Sequence, residues 1–380
     1  MTSLRSTRAR LGPLLLMVAV VLLVAACAPE GGLDASGNPI SSPQPPLQPA
    51  QPGADPVGLL AWLFTPIFQV LFIILAAVYQ GLENLAVPAA IGWSIVVLTI
   101  VVRAVLIPLF RKQLVSQRRI QMLSPEVKEI QKRYKGDRVK IQQAQQELYK
   151  ERGVNPLAGC LPLLLQLPLL FIMYSVIQNG LTNQDPNAML NVFGIQLVTL
   201  DCQNAGDLSR PCIDTIVPLL GDVSRPQVLF SVFGLGISVL AALSAVLQLI
   251  QSRMMLPPPD PTNTDPNVRI QRQMMLFLPL ISIVYGGFLP AGLFIYWIVA
   301  TIFSIIQQYL IVGWGGMFPF LGWDPAFARA HTPRFPVEMP PPPEPSKRAA
   351  ILTDAAKTSS ADRTIRQAKR GRQSRRGRRR

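Results

Sequence analysis

The chain has 380 residues, 49% of them hydrophobic and only 15% charged, whereas a typical soluble domain carries about 25% charge. Its 36 Lys and Arg outnumber its 21 Asp and Glu, giving a net charge of +15, a balance that calls for anionic partners, either nucleic acid or the inner face of a membrane. With one histidine, His331, and four cysteines, the composition disfavours a soluble enzyme, a histidine-based catalyst and a zinc protein, and no cofactor or metal is expected.

The N-terminus begins with Arg5, Arg8 and Arg10, continues as a nearly uniform apolar run from Leu11 to Ala26, and closes on Val24-Ala25-Ala26-Cys27. A basic start, a short apolar core and small residues before the cut describe a secretory signal over residues 1–26. A cysteine directly after them looks like a bacterial lipobox, with Cys27 lipidated as the mature N-terminus. The alternative is an uncleaved membrane anchor. Seven prolines between Pro39 and Pro56 make residues 27–56 an extended extracytoplasmic tether.

Apolar stretches near the roughly 20 residues needed to cross a bilayer lie at 57–79, 92–110, 157–178, 228–250, 272–289 and 291–312. The segments between them differ in charge. Residues 111–155 carry net +7, residues 181–227 net −3 and residues 321–380 net +10. Positive segments stay in the cytoplasm, which puts 111–155 and the C-terminal tail inside and 181–227 outside. If 57–79 also crossed, the +7 segment would be exported. The consistent solution lays 57–80 along the outer interface, with Trp62 and Tyr79 as anchors, the alternative being a sixth span. The expected fold is an all-α polytopic membrane protein, a five-span helical bundle with its N-terminus outside and its C-terminus inside.

In the segment 111–155, Ser124-Pro125-Glu126 predicts an N-cap, a proline at the first helical position and an acid in the first turn. A turn at Gly136-Asp137 and a second helix to about Arg152 complete a basic cytoplasmic helical hairpin. It is either a solvated loop or a docking element for incoming chains.

Arg103 lies in the first span, roughly 12 Å from Arg111 at 1.5 Å per residue. A mid-bilayer arginine costs about 2.5–3.5 kcal/mol on insertion scales and is tolerable beside a water-filled cavity. Thr99 lies one turn away on the same face. Trp297, Thr301, Ser304 and Gln308 form one helical stripe, and Gln166 and Gln248 add polar groups on two other spans. Each Ser, Thr or Gln alone is as well explained by interhelical hydrogen bonding. The five spans contain no Asp or Glu, so Arg103 has no buried counter-ion and the chain has no carboxylate proton relay.

Trp93-Ser-Ile, Arg103, Pro108-Leu109, Gln113, Ser116, Pro125-Glu126, Tyr134-Lys135, Leu148-Tyr-Lys150, the run from Asn155 to Pro162 (NPLAGCLP), Gln166-Leu-Pro168, Pro290 to Trp297 and Ile306-Gln-Gln308 together resemble the YidC/Oxa membrane protein insertases. The likeness covers residues 57–312 in order. It implies five spans around a hydrophilic groove open to the cytoplasm and to lipid but closed outside. It carries the groove arginine onto Arg103, a groove threonine onto Thr99 and an aromatic of the last span onto Trp297. It also implies a non-enzymatic function, insertion and folding of nascent membrane proteins, alone or with the Sec translocon, at the bacterial cell membrane. The lipobox resembles the Gram-positive type. The 181–227 loop, with Cys202 and Cys212, and the proline-rich loop at 252–269 depart from the pattern. The two loop cysteines are expected to pair, since the outer compartment permits disulfides.

Residues 313–380 read as a disordered basic tail. Its end holds Arg370, Arg372, Arg375, Arg376, Arg378, Arg379 and Arg380, and suits phosphate contacts with ribosomal RNA. The alternative is adhesion to anionic inner-leaflet lipids. A transporter would also explain an intramembrane charge, but the spans show no repeat and no acidic ion-coupling partner. An intramembrane enzyme would lack a base among the spans, and a scaffold without insertion activity differs only in an insertion assay.

Overall fold

The computed structural model describes residues 56–155 and 161–338 apart from 184, 193, 201, 203–211, 233–234, 257–265, 319–322 and 330, together with 47 and 49. The signal segment, Cys27, nearly all of the tether, residues 156–160 of the NPLAGCLP run and the arginines from 370 onward lie outside the described residues.

Helix α1, Pro56–Asn84, buries Phe68, Leu71, Phe72, Leu75, Ala76 and Tyr79. That spacing is one stripe of a 3.6-residue helix, while Trp62, Leu63, Ile67 and Val70 on other faces stay exposed. Helix α2, Ala90–Val105, packs along it. The expected span at 92–110 is broken after Val105. Pro108 has no N–H to give to a carbonyl of the preceding turn, and the chain restarts at an angle of 62° as helix α3, Ile107–Met122. Arg103 therefore sits in the last turn of its helix rather than deep within one.

The chain passes from α3 to α4, Ser124–Arg133, through the single buried residue Leu123. Ser124 begins this helix instead of capping it, and its side chain makes no cap bond. Gly136 takes the left-handed φ of +97° that the turn requires. Asp137 then caps α5, Arg138–Glu151, by accepting the Lys140 N–H at 3.1 Å. That bond holds its carboxyl below the ordinary carboxylate range. Arg152 reaches Glu126 at 2.6 Å and ties the end of α5 to the start of α4.

Helix α6 spans Leu161–Ser175 and loosens into a π turn over Val176–Gly180, beneath Phe72, whose ring occupies the space a Cβ on Gly180 would need. The expected span at 228–250 starts later than its apolarity suggested. Phe230–Val232 and Leu235–Ile237 form a two-stranded antiparallel hairpin, and helix α7 covers only Val239–Met255. β-Branched and aromatic residues around glycines favour a hairpin over a helix there. Helix α8 is Pro266–Tyr285 and helix α9 is Ala291–Ile311.

By length and apolarity alone, Trp62–Asn84 and Ala291–Ile311 can cross a membrane, and the bent pair α2–α3 makes a third candidate. Val239–Met255 and Met275–Tyr285 are apolar but shorter. The described residues are mostly helical, and their strands form three separate two-stranded hairpins.

The apolar core occupies one end of the bundle. Ile91, Ile95, Ile177, Leu293 and Tyr296 meet Leu190, Ile213, Val217 and Val223 of the 181–227 loop. The first N–H groups of α9 are satisfied by that loop, with Ala291 N–H donating to Arg225 O at 2.9 Å and Gly292 N–H to Val223 O at 2.8 Å. Tyr79 is not an exposed anchor. It is buried, its hydroxyl accepts the Asp214 N–H at 3.1 Å, and it donates to Glu83 at 3.2 Å. Within the loop Cys202 and Cys212 are joined by a disulfide, with Cα atoms 4.8 Å apart. Both thiols should resist alkylation in the folded protein until a reductant is added. Full labelling of the pair by maleimide without reduction would rule the bond out.

Residues after α9 are not a featureless tail. Gly313 and Gly315, at φ +79° and +53°, turn the chain back on the helix end, and Phe335 N–H donates to Leu310 O at 3.0 Å. Where a disordered tail is expected from 313 onward, the described residues between 313 and 338 pack as a local aromatic core; residues 319–322, 330 and 339–380 are outside the described ones.

Candidate functional site: a polar cavity around Arg103

The second end of the bundle is polar. There the last turn of α2, the start of α3, the front half of α6, the end of α7 and the back half of α9 enclose a cavity of about 230 Å³. Arg103, Gln113, Gln166, Gln251, Thr301, Ser304, Gln307 and Gln308 supply its polar lining, and Phe110, Leu114, Met255 and Trp297 its apolar lining. Among the described lining residues there is no Asp or Glu.

Arg103 is 5% exposed. One Nη donates to Ser304 Oγ at 3.0 Å, and the other reaches Gln166 Oε1 at 3.5 Å. The guanidinium carbon lies 4.7 Å from the centre of the Phe110 ring, a cation–π contact. Its Nε has no partner. The bend at Leu106 is what brings Phe110 and Gln113 of α3 back beside the arginine. Gln166 in turn donates to the buried Tyr296 hydroxyl at 3.3 Å, and Ser304 and Thr301 donate to their own helix at Ala300 O and Trp297 O. Those serine and threonine oxygens thus keep lone pairs for the cavity. The Gln113 amide, 3% exposed, has no partner for either of its polar atoms, and Gln308 Oε1 has none. The site therefore offers one cation, several amides that both donate and accept, and no competing anion. It suits a polar or acidic stretch of polypeptide, or water.

The structure brings Arg103, Gln166, Trp297 and Thr301 together, with Ser304 and Gln308 of the α9 stripe. It does not bring in Thr99 or Gln248. Thr99 is buried and spends its hydroxyl on Ile95 O at 2.6 Å. It shares a face with Arg103 but points into the seam between helices. Gln248 pairs with Ser282 across α7 and α8, with both amide atoms engaged at 3.1 and 3.2 Å. Its place in the cavity is taken by Gln251, one turn on. Gln251 and Phe110 carried no sequence signal as lining residues, since the first reads as the end of a span and the second depends on the bend.

The family model described as "60Kd inner membrane protein" matches residues 81–314. The chain is 30% identical over 301 residues to a protein named membrane protein insertase YidC from Herminiimonas arsenicoxydans, covering 77% of this chain and 45% of that one. It is 35% identical over 221 residues to a protein of the same name from Wolinella succinogenes, 58% of this chain and 33% of the relative. A third, from Campylobacter jejuni, is 32% identical over 265 residues, 70% and 41% respectively. The chain thus spans less than half the length of each of these relatives.

Proposed function

We propose, from the premise that this chain belongs to the 60Kd inner membrane protein family, that it is a membrane protein insertase and chaperone, without enzymatic chemistry. The observation that carries this reading is the asymmetric bundle, packed with apolar side chains at one end and opened around an unpaired-by-acid arginine at the other. An incoming single-span protein must move a polar flank through hydrocarbon. A cavity that replaces half of that path with amides and a cation lowers the barrier. Attraction of Arg103 for acidic residues is stronger there than in water because the surroundings are less polarisable. The substrate helix then leaves sideways into lipid, driven by about 25 cal/mol for each Å² of apolar area removed from water.

The orientation follows from charge. The +7 hairpin and the basic tail face the cytoplasm, the 181–227 loop faces out, and α2, α6, α7, α8 and α9 serve as five spans. Helix α1 lies along the outer interface in this reading. Gln69 and Gln80, eleven residues apart, both donate to backbone carbonyls of the 181–227 loop, at Asn191 O and Thr199 O. A helix crossing to the far side would leave that loop after a few turns. Cys27 anchors the mature chain through lipid, which the intact mass of the mature protein decides.

Reconstitution into liposomes, with a small single-span protein as substrate and with or without the Sec translocon, tests the reading. Membrane-integrated substrate is expected in both cases. Substrate left protease-accessible at the level of empty liposomes would overturn it, and uptake of small solutes would favour a transporter instead. The tail is proposed to hold ribosomes by charge. Deleting Asp362–Arg380 should weaken ribosome co-sedimentation at low salt, and added salt should weaken the intact protein in the same way. Co-sedimentation unchanged by the deletion would reject that role.

A further inference from the structure

Residues 312–338 carry a second feature that the insertase reading does not use. After the turn at Gly313 and Gly315, His331 stacks on Tyr309 of α9 at 4.4 Å between ring centres, with its Nδ1 3.3 Å from the tyrosine hydroxyl. Trp314 packs edge-on against both Tyr309 and Phe327. This small aromatic core fixes the fold-back. It leaves three large rings turned outward: Trp323 is 60% exposed, Phe327 55% and Phe335 46%. Three exposed large rings in one segment suit the headgroup level of a bilayer, where aromatic rings gather.

Two arginines meet at one of these rings. Arg111 of α3 lies 5.5 Å from the centre of Phe335, and Arg334 lies 5.8 Å from it. Among the described residues neither takes part in an ion pair such as Lys140–Asp137, Arg152–Glu126 or Arg225–Asp222. Two like charges held on one exposed phenyl ring complement a phosphate at the membrane surface, and the exposed Trp323 and Phe327 of the same segment, with ring centres 6.3 Å apart, suit its acyl chains.

We propose that Arg111 and the described residues after α9 form an anionic-phospholipid site, in which Arg111 and Arg334 bind the headgroup phosphate and Trp323, Phe327 and Phe335 enter the interface. The site rests on the orientation given above, with this end of α9 at the cytoplasmic leaflet. Because it bridges α9 to α3, lipid bound there holds together two of the elements that line the cavity.

The test is backbone hydrogen exchange of residues 323–338 in the full-length protein, in nanodiscs of phosphatidylcholine alone and of phosphatidylcholine doped with phosphatidylglycerol. Exchange is expected to be several-fold slower in the doped discs, and Arg111→Gln with Arg334→Gln should erase the difference. Gly315→Ala should speed exchange in both discs, because a Cβ there would run into Met254 O and expel the segment. Equal exchange of the wild-type protein in the two discs would overturn the proposal. So would unaltered exchange in Gly315→Ala, or an equal slowing by soluble RNA in phosphatidylcholine discs, which would assign the arginines to nucleic acid. No insertion substrate is present, so failure here leaves the insertase reading standing, and failure of insertion leaves this site standing.

Discussion

Replacing Arg103 by alanine is expected to lower insertion of substrates with acidic outer segments by about tenfold to a hundredfold. A hydrogen bond to a charged group is worth about 1.5–3 kcal/mol, and about 1.4 kcal/mol corresponds to tenfold in rate. Substrates with neutral outer segments should suffer least. Arg103→Glu should be worse than alanine for the acidic substrates, because it repels what the wild-type residue attracts. Arg103→Lys keeps the cation but not the fork. A lysine cannot reach Ser304 and Gln166 together, as the two Nη atoms do, nor stack flat over Phe110. Its activity should fall between wild type and alanine, closer to wild type if charge alone is what matters. The protein itself should tolerate the alanine. Ser304 retains its bond to Ala300 O, Gln166 retains Tyr296, and removing an intramembrane charge relieves an insertion cost. The deciding measurement is in vivo insertion of matched acidic and neutral substrates at equal expression of each variant. Equal losses for both substrate classes would falsify the electrostatic account and leave Arg103 as a group that keeps the cavity wet.

The arginine and the α9 stripe were legible because both are statements about one helix. Trp297, Thr301, Ser304 and Gln308 need only the 3.6-residue repeat to share a face, and a charge in an apolar run stands out wherever the neighbours are. Thr99 and Gln248 are the opposite case. Each lies on a plausible face of its own helix, but whether a face looks into a cavity or a seam depends on which helix packs there. Thr99 met a seam and bonded backward to Ile95, and Gln248 met Ser282. A sequence lists polar residues in spans without saying which of them another helix satisfies. The break at Leu106 was foreshadowed by Pro108, yet apolarity runs straight through it, and hydropathy does not register direction. The hairpin over Phe230–Ile237 was hidden for the same reason. A strand and a stretch of helix can both be short apolar runs, and only the glycines hinted at the difference. In residues 313–338, prolines and charges masked an aromatic core that forms only because the chain reverses onto Tyr309.

Gly286→Ala is expected to destabilise the protein by about 1–3 kcal/mol, the usual cost of overfilling a packed site. Gly286 follows the last turn of α8. A Cβ built on it would sit 2.6 Å from the Cβ of Ala241 in α7, with Ile283 O at 3.1 Å and the Ser238 Cβ at 3.2 Å. None of these is the free end of a flexible side chain, so relief requires α7 and α8 to part. They cannot part easily, because the Gln248–Ser282 bonds join the same two helices, and just beyond the contact a Cβ built on Gly287 would lie 3.0 Å from the Gly236 backbone. Removing the opposing methyl should restore the fit. Ala241→Gly alone should cost up to about 1 kcal/mol, as glycine does inside a helix, but combined with Gly286→Ala it should recover most of the lost stability, a coupling that two unrelated substitutions would not show. Thermal unfolding in detergent reads the result directly, with the single Gly286→Ala variant lowest and the double variant near Ala241→Gly. If the double variant melts as low as the two losses added together, the close approach of Gly286 to Ala241 is not what holds these helix ends. Insertion should follow the same order, since the contact lies at the end of the bundle away from the Arg103 cavity and its loss lowers the amount of folded protein.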